Sequence, residues 1–218
     1  MDSKAIVNKG KNKNLKLFKI PKIAAWIFPR RIWFGESQSV YLTFDDGPHP
    51  EITPWLLDEL SRNNIKATFF WQGSQIEKYP ELLKRAKKEG HSIGHHGYSH
   101  SSGKALSFEA FKSNFNTSNQ LVDSKLFRPP YGDLKRDQAR YAAENGEIVM
   151  WSWMSYDFDS TVSIDKIIQK AKTQIKSGDI LVFHENQKTF HRIKEIIPAI
   201  IQVIRDKELN FARIEKKR

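Results

Sequence analysis

From position 39 onward the chain alternates two hydrophobic periods that no single element can satisfy. Short apolar runs rich in β-branched and aromatic residues fall at 40–44, 67–71, 92–94, 126–128, 148–153, 180–183 and 211–214. Longer stretches with apolar residues three and four apart lie between them, at 54–62, 79–89, 107–122, 135–145, 164–175 and 191–204. A period of two followed by a period near 3.6, repeated along one chain, is the pattern of successive βα units with a parallel sheet. Gly90 and Gly146 stand just past two of the helical stretches, where a left-handed helix stop is expected. Seven parallel strands can form an open doubly wound sheet or a closed barrel, and periodicity does not choose between them. The polar residues do. Asp45 and Asp46 follow the first run, His96 and His100 the third, Tyr131 the fourth, Asp157 the fifth and His184 the sixth. An open sheet would spread these carboxyl ends along a wide edge, whereas a barrel gathers them at one mouth, so a closed α/β barrel of seven strands is the expected fold.

A length of 218 residues suits one domain, and 39% hydrophobic with 28% charged residues is the balance of an ordered chain. The net charge of +11 suggests nucleic acid until it is divided along the sequence. Residues 1–35 hold nine Lys or Arg and one acid, leaving 27 basic against 24 acidic residues in 36–218. The body is too balanced for a phosphate-binding groove, and no nucleic-acid partner is expected. Residues 1–35 therefore read as a basic arm and packing segment, and 36–218 as the catalytic domain. The apolar run at 23–29 is shorter than the ~20 residues that cross a bilayer and lacks a small-residue cleavage site. It reads as uncleaved, which leaves the cytoplasm, the membrane periphery and the cell envelope open as locations. Its plain role is to pack on the domain; its sharper one is peripheral membrane contact through Trp26, Phe28, Trp33 and Phe34 among the basic residues. With no cysteine, thiol chemistry, disulfides and cysteine metal sites are excluded.

Five short elements carry chemistry. In Thr43-Phe44-Asp45-Asp46-Gly47-Pro48, two adjacent carboxylates end a strand; a cation relieves their repulsion, so one acid can bind metal while the other takes a proton from water. Alone, such a triplet is more often a solvated turn. It is not alone: His91, His95, His96 and His100 lie within ten residues. His96 and His100 can reach one ion from a single turn, and with Asp46 they make a two-His, one-carboxylate set that suits zinc and also iron or cobalt. His91 and His95 read as structural or as supports behind the ligands, not as ligands themselves. In Arg128-Pro129-Pro130-Tyr131, Tyr131 offers the first main-chain N–H after two prolines, suited to an oxyanion, and Arg128 can clamp Asp45. Asp157 is a partner for Arg128, the aromatics around Trp151 and Trp153 offer either a cleft floor or core packing, and His184 can protonate a leaving amine.

These elements, in this order over residues 38–215, resemble the polysaccharide deacetylases, the NodB-like carbohydrate esterase family 4. Thr-Phe-Asp-Asp-Gly, His-x-x-x-His and Arg-Pro-Pro-Tyr together form a specific combination. The resemblance implies a distorted (β/α)7 barrel, one divalent metal that is usually zinc, with cobalt, nickel or iron as substitutes, and removal of N-acetyl groups from chitin-like, peptidoglycan or other envelope glycans. It implies Asp46, His96 and His100 as ligands, Asp45 as base, His184 as acid, Tyr131 as oxyanion donor, and Arg128 with Asp157 as the pair that tunes the base. An O-acetyl esterase on the same site and a silent glycan-binding module are the rival readings. Gly97 departs from the family's Ser or Thr, which implies a missing loop hydrogen bond and a looser metal loop; Phe158, His95 and Glu185 replace a common Trp, Asn and Asp.

Overall fold

The computed structural model describes residues 16–215. Its sheet is built from β2 (Ser39–Asp45), β3 (Thr68–Trp71), β4 (Ser92–His95), β5 (Leu126–Phe127), β6 (Glu147–Val149), β7 (Trp153–Met154) and β8 (Ile180–His184), with β1 (Arg31–Ile32) and β9 (Asn210–Ala212) added at the margins. All pairings between these strands are parallel, in the order β1-β6-β5-β4-β3-β2-β8-β7, with β9 beside the first half of β2. The apolar run at 148–153 is not one strand: it breaks after Val149 and resumes at Trp153. The break carries the chain across the mouth of the curled sheet, because β6 pairs with β5 while β7, three residues on, pairs with β8 at the far end. In the kink, Met150 N–H donates to Ile32 O at 2.8 Å and Ser152 N–H to Ile180 O at 3.0 Å. The result is a curled, distorted (β/α)7 barrel.

The strands alternate strictly between two surroundings, as a period of two requires. Val40, Leu42 and Phe44 of β2 join Phe69, Trp71, Leu181 and Phe183 in the main core, under α2 (Ile52–Arg62), α7 (Ile164–Gln174) and α8 (Phe190–Arg205). The intervening Tyr41 joins Phe70, Val149 and Ile180 in a separate cluster on the other face. Asp45 and His184, register partners at the ends of β2 and β8, share the parity of this second face. Helix α8 buries Ile193, Ile196, Ile197, Ile200, Ile201 and Ile204, the spacing of a single stripe. Ser107 caps α5 (Phe108–Val122) and Ser163 caps α7 by accepting the N–H three residues on.

Two expectations change. Gly90 takes the left-handed turn after α4 (Pro80–Lys88), with φ of 85°. Gly146 does not: after α6 (Arg136–Asn145) it is fully extended. A Cβ there would sit 2.4 Å from Lys125 O, so glycine serves the close approach of two backbones entering β5 and β6. A further short helix, α3 (Gly73–Lys78), precedes α4 where sequence spacing marks none.

The segment ahead of β2 is built into the body. Lys19 pairs antiparallel with Trp153, β1 pairs with β6, and Lys16 and Lys19 form ion pairs with Asp159 and Asp179. Phe18 is buried against Trp153 and Tyr156, and Trp33 is buried too, which removes it from any outer surface. Between them, α1 (Ile23–Ile27) leaves Trp26 81% exposed. Residues 1–15, with four lysines of the basic arm, lie outside the described residues.

Because Phe18 fills core volume, Phe18→Ala should destabilise the whole chain by about 3 kcal/mol. Denaturant unfolding checks this; a change near zero would make the segment a detachable tail.

Candidate metal centre and catalytic cleft

Asp45, Asp46, His96, His100, Tyr131 and His184 line one cleft of about 630 Å³ at the carboxyl ends of the strands. The side chains of Asp46, His96 and His100 offer three ligand atoms that all lie within 4.8 Å of one another. Asp46 Oδ1 is 3.0 Å from His100 Nε2 and 3.8 Å from His96 Nε2, and it is buried without accepting a hydrogen bond. A buried carboxylate oxygen left unpaired beside two imidazole nitrogens fits a cation, since the alternative is an uncompensated desolvation cost.

Two of the three candidate ligands, His96 and Asp46, are oriented by a neighbour. His96 Nδ1 is 2.7 Å from the carbonyl of Arg128. A carbonyl only accepts, so Nδ1 carries the proton and Nε2 keeps its lone pair for a metal. Burial lowers the pKa of His96, against the pull of Asp45 and Asp46, which also favours the neutral ligand form. Asn186 Nδ2 donates to Asp46 Oδ2 at 2.7 Å and leaves Oδ1 free. Burial works against ionising Asp46, but His100, His184 and His96 outweigh it and hold its carboxyl well below the usual carboxylate range. Asp46 and His100 have φ of 80° and 55°, and Tyr131 and Tyr156 take φ of 59° and 55°. Such conformations are costly for residues with a Cβ and gather where a site is over-determined by its surroundings.

The loop of the histidine motif is tied down despite Gly97. Asn114 of α5 accepts from Tyr98 N–H at 2.8 Å and donates to Ser99 Oγ at 2.6 Å, while Ser118 Oγ donates to Gly97 O at 3.0 Å. The expected looseness is offset by hydrogen bonds from a helix that no local motif reveals.

Two charged pairs flank the cradle. Arg128, wholly buried, donates through one guanidinium nitrogen to Asp45 Oδ1 and Thr43 Oγ1, each at 2.7 Å, and through the others to the carbonyls of Val149 and Met150. Asp157 does not join this pair, contrary to expectation. Its Oδ1 is 2.8 Å from His184 Nδ1 and its Oδ2 accepts from His184 N–H at 2.7 Å. The kink between β6 and β7 brings main-chain carbonyls to Arg128, so the nearest acid on that segment is left for the neighbouring strand. Burial alone would lower His184, but Asp157, and then Asp46 and Asp45, reverse this and raise it to about 9.

The remaining aromatics divide. Trp151 and Phe158 line the cleft with Met154 and Val182, and Phe158 stands edge-on to His184 at 4.8 Å; Trp153 is core. His95 stacks on Phe127 and His91 accepts from Ala67 N–H, so both serve the core. Sequence reasoning missed Asn186 and Gln72, which line the cleft but belong to no motif of repeated chemistry. Glu185, noted in the sequence only as a replacement for a common Asp, points to the opposite face from His184, bound to Thr53 Oγ1 and, at 2.9 Å, to Trp71 Nε1. Burial pushes the Glu185 carboxyl up to about 8, beyond what its hydrogen bond from Trp71 recovers.

The fold and site together define a barrel protein whose mouth carries three side chains able to hold a cation, flanked by the pairs Arg128–Asp45 and His184–Asp157. The polysaccharide deacetylase family model matches residues 35–149. A peptidoglycan-N-acetylglucosamine deacetylase of Bacillus cereus is 35% identical over 74% of this chain and 62% of its own length. A second from the same organism is 32% identical over 76% of this chain and 83% of its own length. The crystal structure of a peptidoglycan N-acetylglucosamine deacetylase superposes with a TM-score of 0.78 at 30% identity, covering 91% of this chain and all of the other. The chain belongs to the polysaccharide deacetylase family.

Since Glu185 keeps its proton in the native state up to about pH 8 but loses it near 4.5 when unfolded, native stability contributed by this group is full below that lower value, declines as pH rises, and levels off above about 8. Glu185→Gln should flatten this decline, by a few kcal/mol across the window. Unfolding free energies of both proteins between these limits test it; parallel curves would mean that Glu185 is ionised when folded.

Proposed function

We propose that the chain is a metal-dependent N-deacetylase acting on N-acetylated amino sugars of a glycan such as peptidoglycan or a chitin oligosaccharide. The observation that carries this reading is the cradle of Asp46, His96 and His100 with Asp45 on Arg128 to one side and His184 on Asp157 to the other. The relatives named for peptidoglycan N-acetylglucosamine support the substrate class. Residues 36–218 act as the catalytic domain.

One divalent cation, zinc by analogy with the family, would be held by Asp46, His96 and His100 and would supply Lewis acidity toward an acyl oxygen and water. Asp45, oriented by Arg128, takes a proton from water as its oxygen attacks the acetyl carbonyl. The main-chain N–H of Tyr131 stabilises the oxyanion as the carbon becomes tetrahedral. His184 gives its proton to the amide nitrogen as the carbon–nitrogen bond breaks, which yields acetate and a free amine. Trp151, Met154, Phe158 and Val182 form the apolar wall for the acetyl methyl and sugar ring.

Acetate release from N-acetylglucosamine oligomers, with acetylated xylan as the comparison, tests the reaction; release from xylan alone would make the chain an esterase. Asp45→Asn should lower kcat by about 10³-fold while one metal ion per chain is retained, whereas His100→Ala should lose both. Near-normal turnover in Asp45→Asn would overturn the base assignment.

The acid assignment predicts a pH effect with a defined sign. Activity requires protonated His184 and falls as pH rises through its pKa, which Asp157 holds up. Asp157→Asn removes that charge, so the alkaline limb of kcat/KM should move to lower pH. An unmoved limb would exclude His184 as the acid.

A further inference from the structure

Seven large hydrophobic side chains are exposed among the described residues, and two of them, Tyr131 and Phe158, belong to the cleft. The other five all fall between positions 17 and 28. Ile23, Trp26, Ile27 and Phe28 sit on or just after α1, and their exposures of 58, 81, 54 and 44% are far from what core packing would leave. Neither the barrel nor the deacetylase reading gives them a role.

Beside them runs a groove of about 640 Å³ that is walled by Ile27 and Phe28 on one side and by the first turns of α6 on the other. Arg30, Arg31, Lys135, Arg136 and Arg140 line it, and no carboxylate does. Three of these cations come from the body, so the basic character of residues 1–35 continues onto a surface that sequence bookkeeping counts as balanced. Arg30, Arg136 and Arg140 form no ion pair among the described residues, whereas Arg31 lies over the Phe28 ring at 4.7 Å and feels the charge of Asp133, which is engaged by Lys104 at 2.7 Å; Glu144 and Glu147 stand across the next groove from Arg30 and Arg31. By contrast, Lys16 and Lys19 are tied to Asp159 and Asp179 and face the body.

Aliphatic and indole side chains projecting beside unpaired guanidinium groups match a lipid interface, where the apolar groups enter the acyl boundary and the cations meet headgroup phosphates. Nucleic acid would account for the arginines but not for exposed isoleucines. We propose that α1 and the adjoining groove of α6 form a peripheral docking surface for an anionic phospholipid membrane. The contact face is Ile23, Trp26, Ile27 and Phe28, with Trp33 and Phe34 serving to anchor the segment to the body rather than touching lipid.

Sedimentation of the full chain with phosphatidylcholine vesicles, with and without phosphatidylglycerol, tests this surface. Native protein should partition onto the anionic vesicles and stay in solution with the neutral ones. Arg30→Glu/Arg136→Glu/Arg140→Glu should lower the partition coefficient at least tenfold, and Trp26→Ala/Ile27→Ala should lower it too, while acetate release from a soluble oligomer is unchanged because none of these residues lines the cleft. Circular dichroism of each variant confirms folding. Equal binding by the charge-reversed and native chains would overturn the proposal, placing any affinity in residues 1–15. So would equal binding to neutral vesicles, release by millimolar inorganic phosphate at constant ionic strength, tighter binding to an RNA oligomer, or a stable dimer that ignores vesicles.

Discussion

The buried ion pair of Arg128 and Asp45 holds the mouth of this barrel together. Its guanidinium lies over the Phe70 ring at 4.1 Å and reaches the carbonyls of Val149 and Met150, while its own carbonyl receives His96 Nδ1. One residue thus connects the proposed base on β2, a candidate metal-ligand imidazole after β4 and the kink between β6 and β7. Taking both charges out of water is expensive, and the hydrogen bonds to Thr43 and the two carbonyls are what make the arrangement sustainable. A single partner removed would strand a charge in an apolar interior, so the architecture and the chemistry are held by the same contacts.

Strand alternation divides the labour among neighbours. His184 and Glu185 are adjacent, yet one faces the cleft and the other faces the helices. The first is raised by Asp157 into the range of an acid that keeps its proton at neutral pH; the second is raised by burial and serves Trp71 and Thr53. A similar division separates Phe44, which is core, from Asp45 beside it. The two positive-φ turns at Asp46 and His100 then aim ligands that regular strand geometry could not bring together. At the mouth, the Asn186, Asn114 and Ser118 hydrogen bonds hold these turns in place.

The cradle was legible because its residue types are scarce and their spacing is short. Asp45-Asp46 and His96-x-x-x-His100 name their own chemistry, and the βα rhythm says that strand ends converge. Asn186, Asn114 and the pairing of Asp157 with His184 were not legible, since an amide or an acid on one element acquires meaning only from what another element sets 3 Å away. The same holds for Gly146, whose extended backbone answers to Lys125 O and not to the helix before it.

Local residue order therefore determined the alternation of strands and helices, the sides on which apolar residues fall and the residue types of the candidate ligand set, because periodicity and side-chain chemistry are properties of short stretches. Only the tertiary structure decided that the run at 148–153 breaks into strands at opposite ends of the sheet, that Asp157 serves His184 rather than Arg128, and that the basic arm extends onto α6. Those outcomes depend on which distant segments share a surface, and distance in space between such segments is not encoded at any single position of the chain.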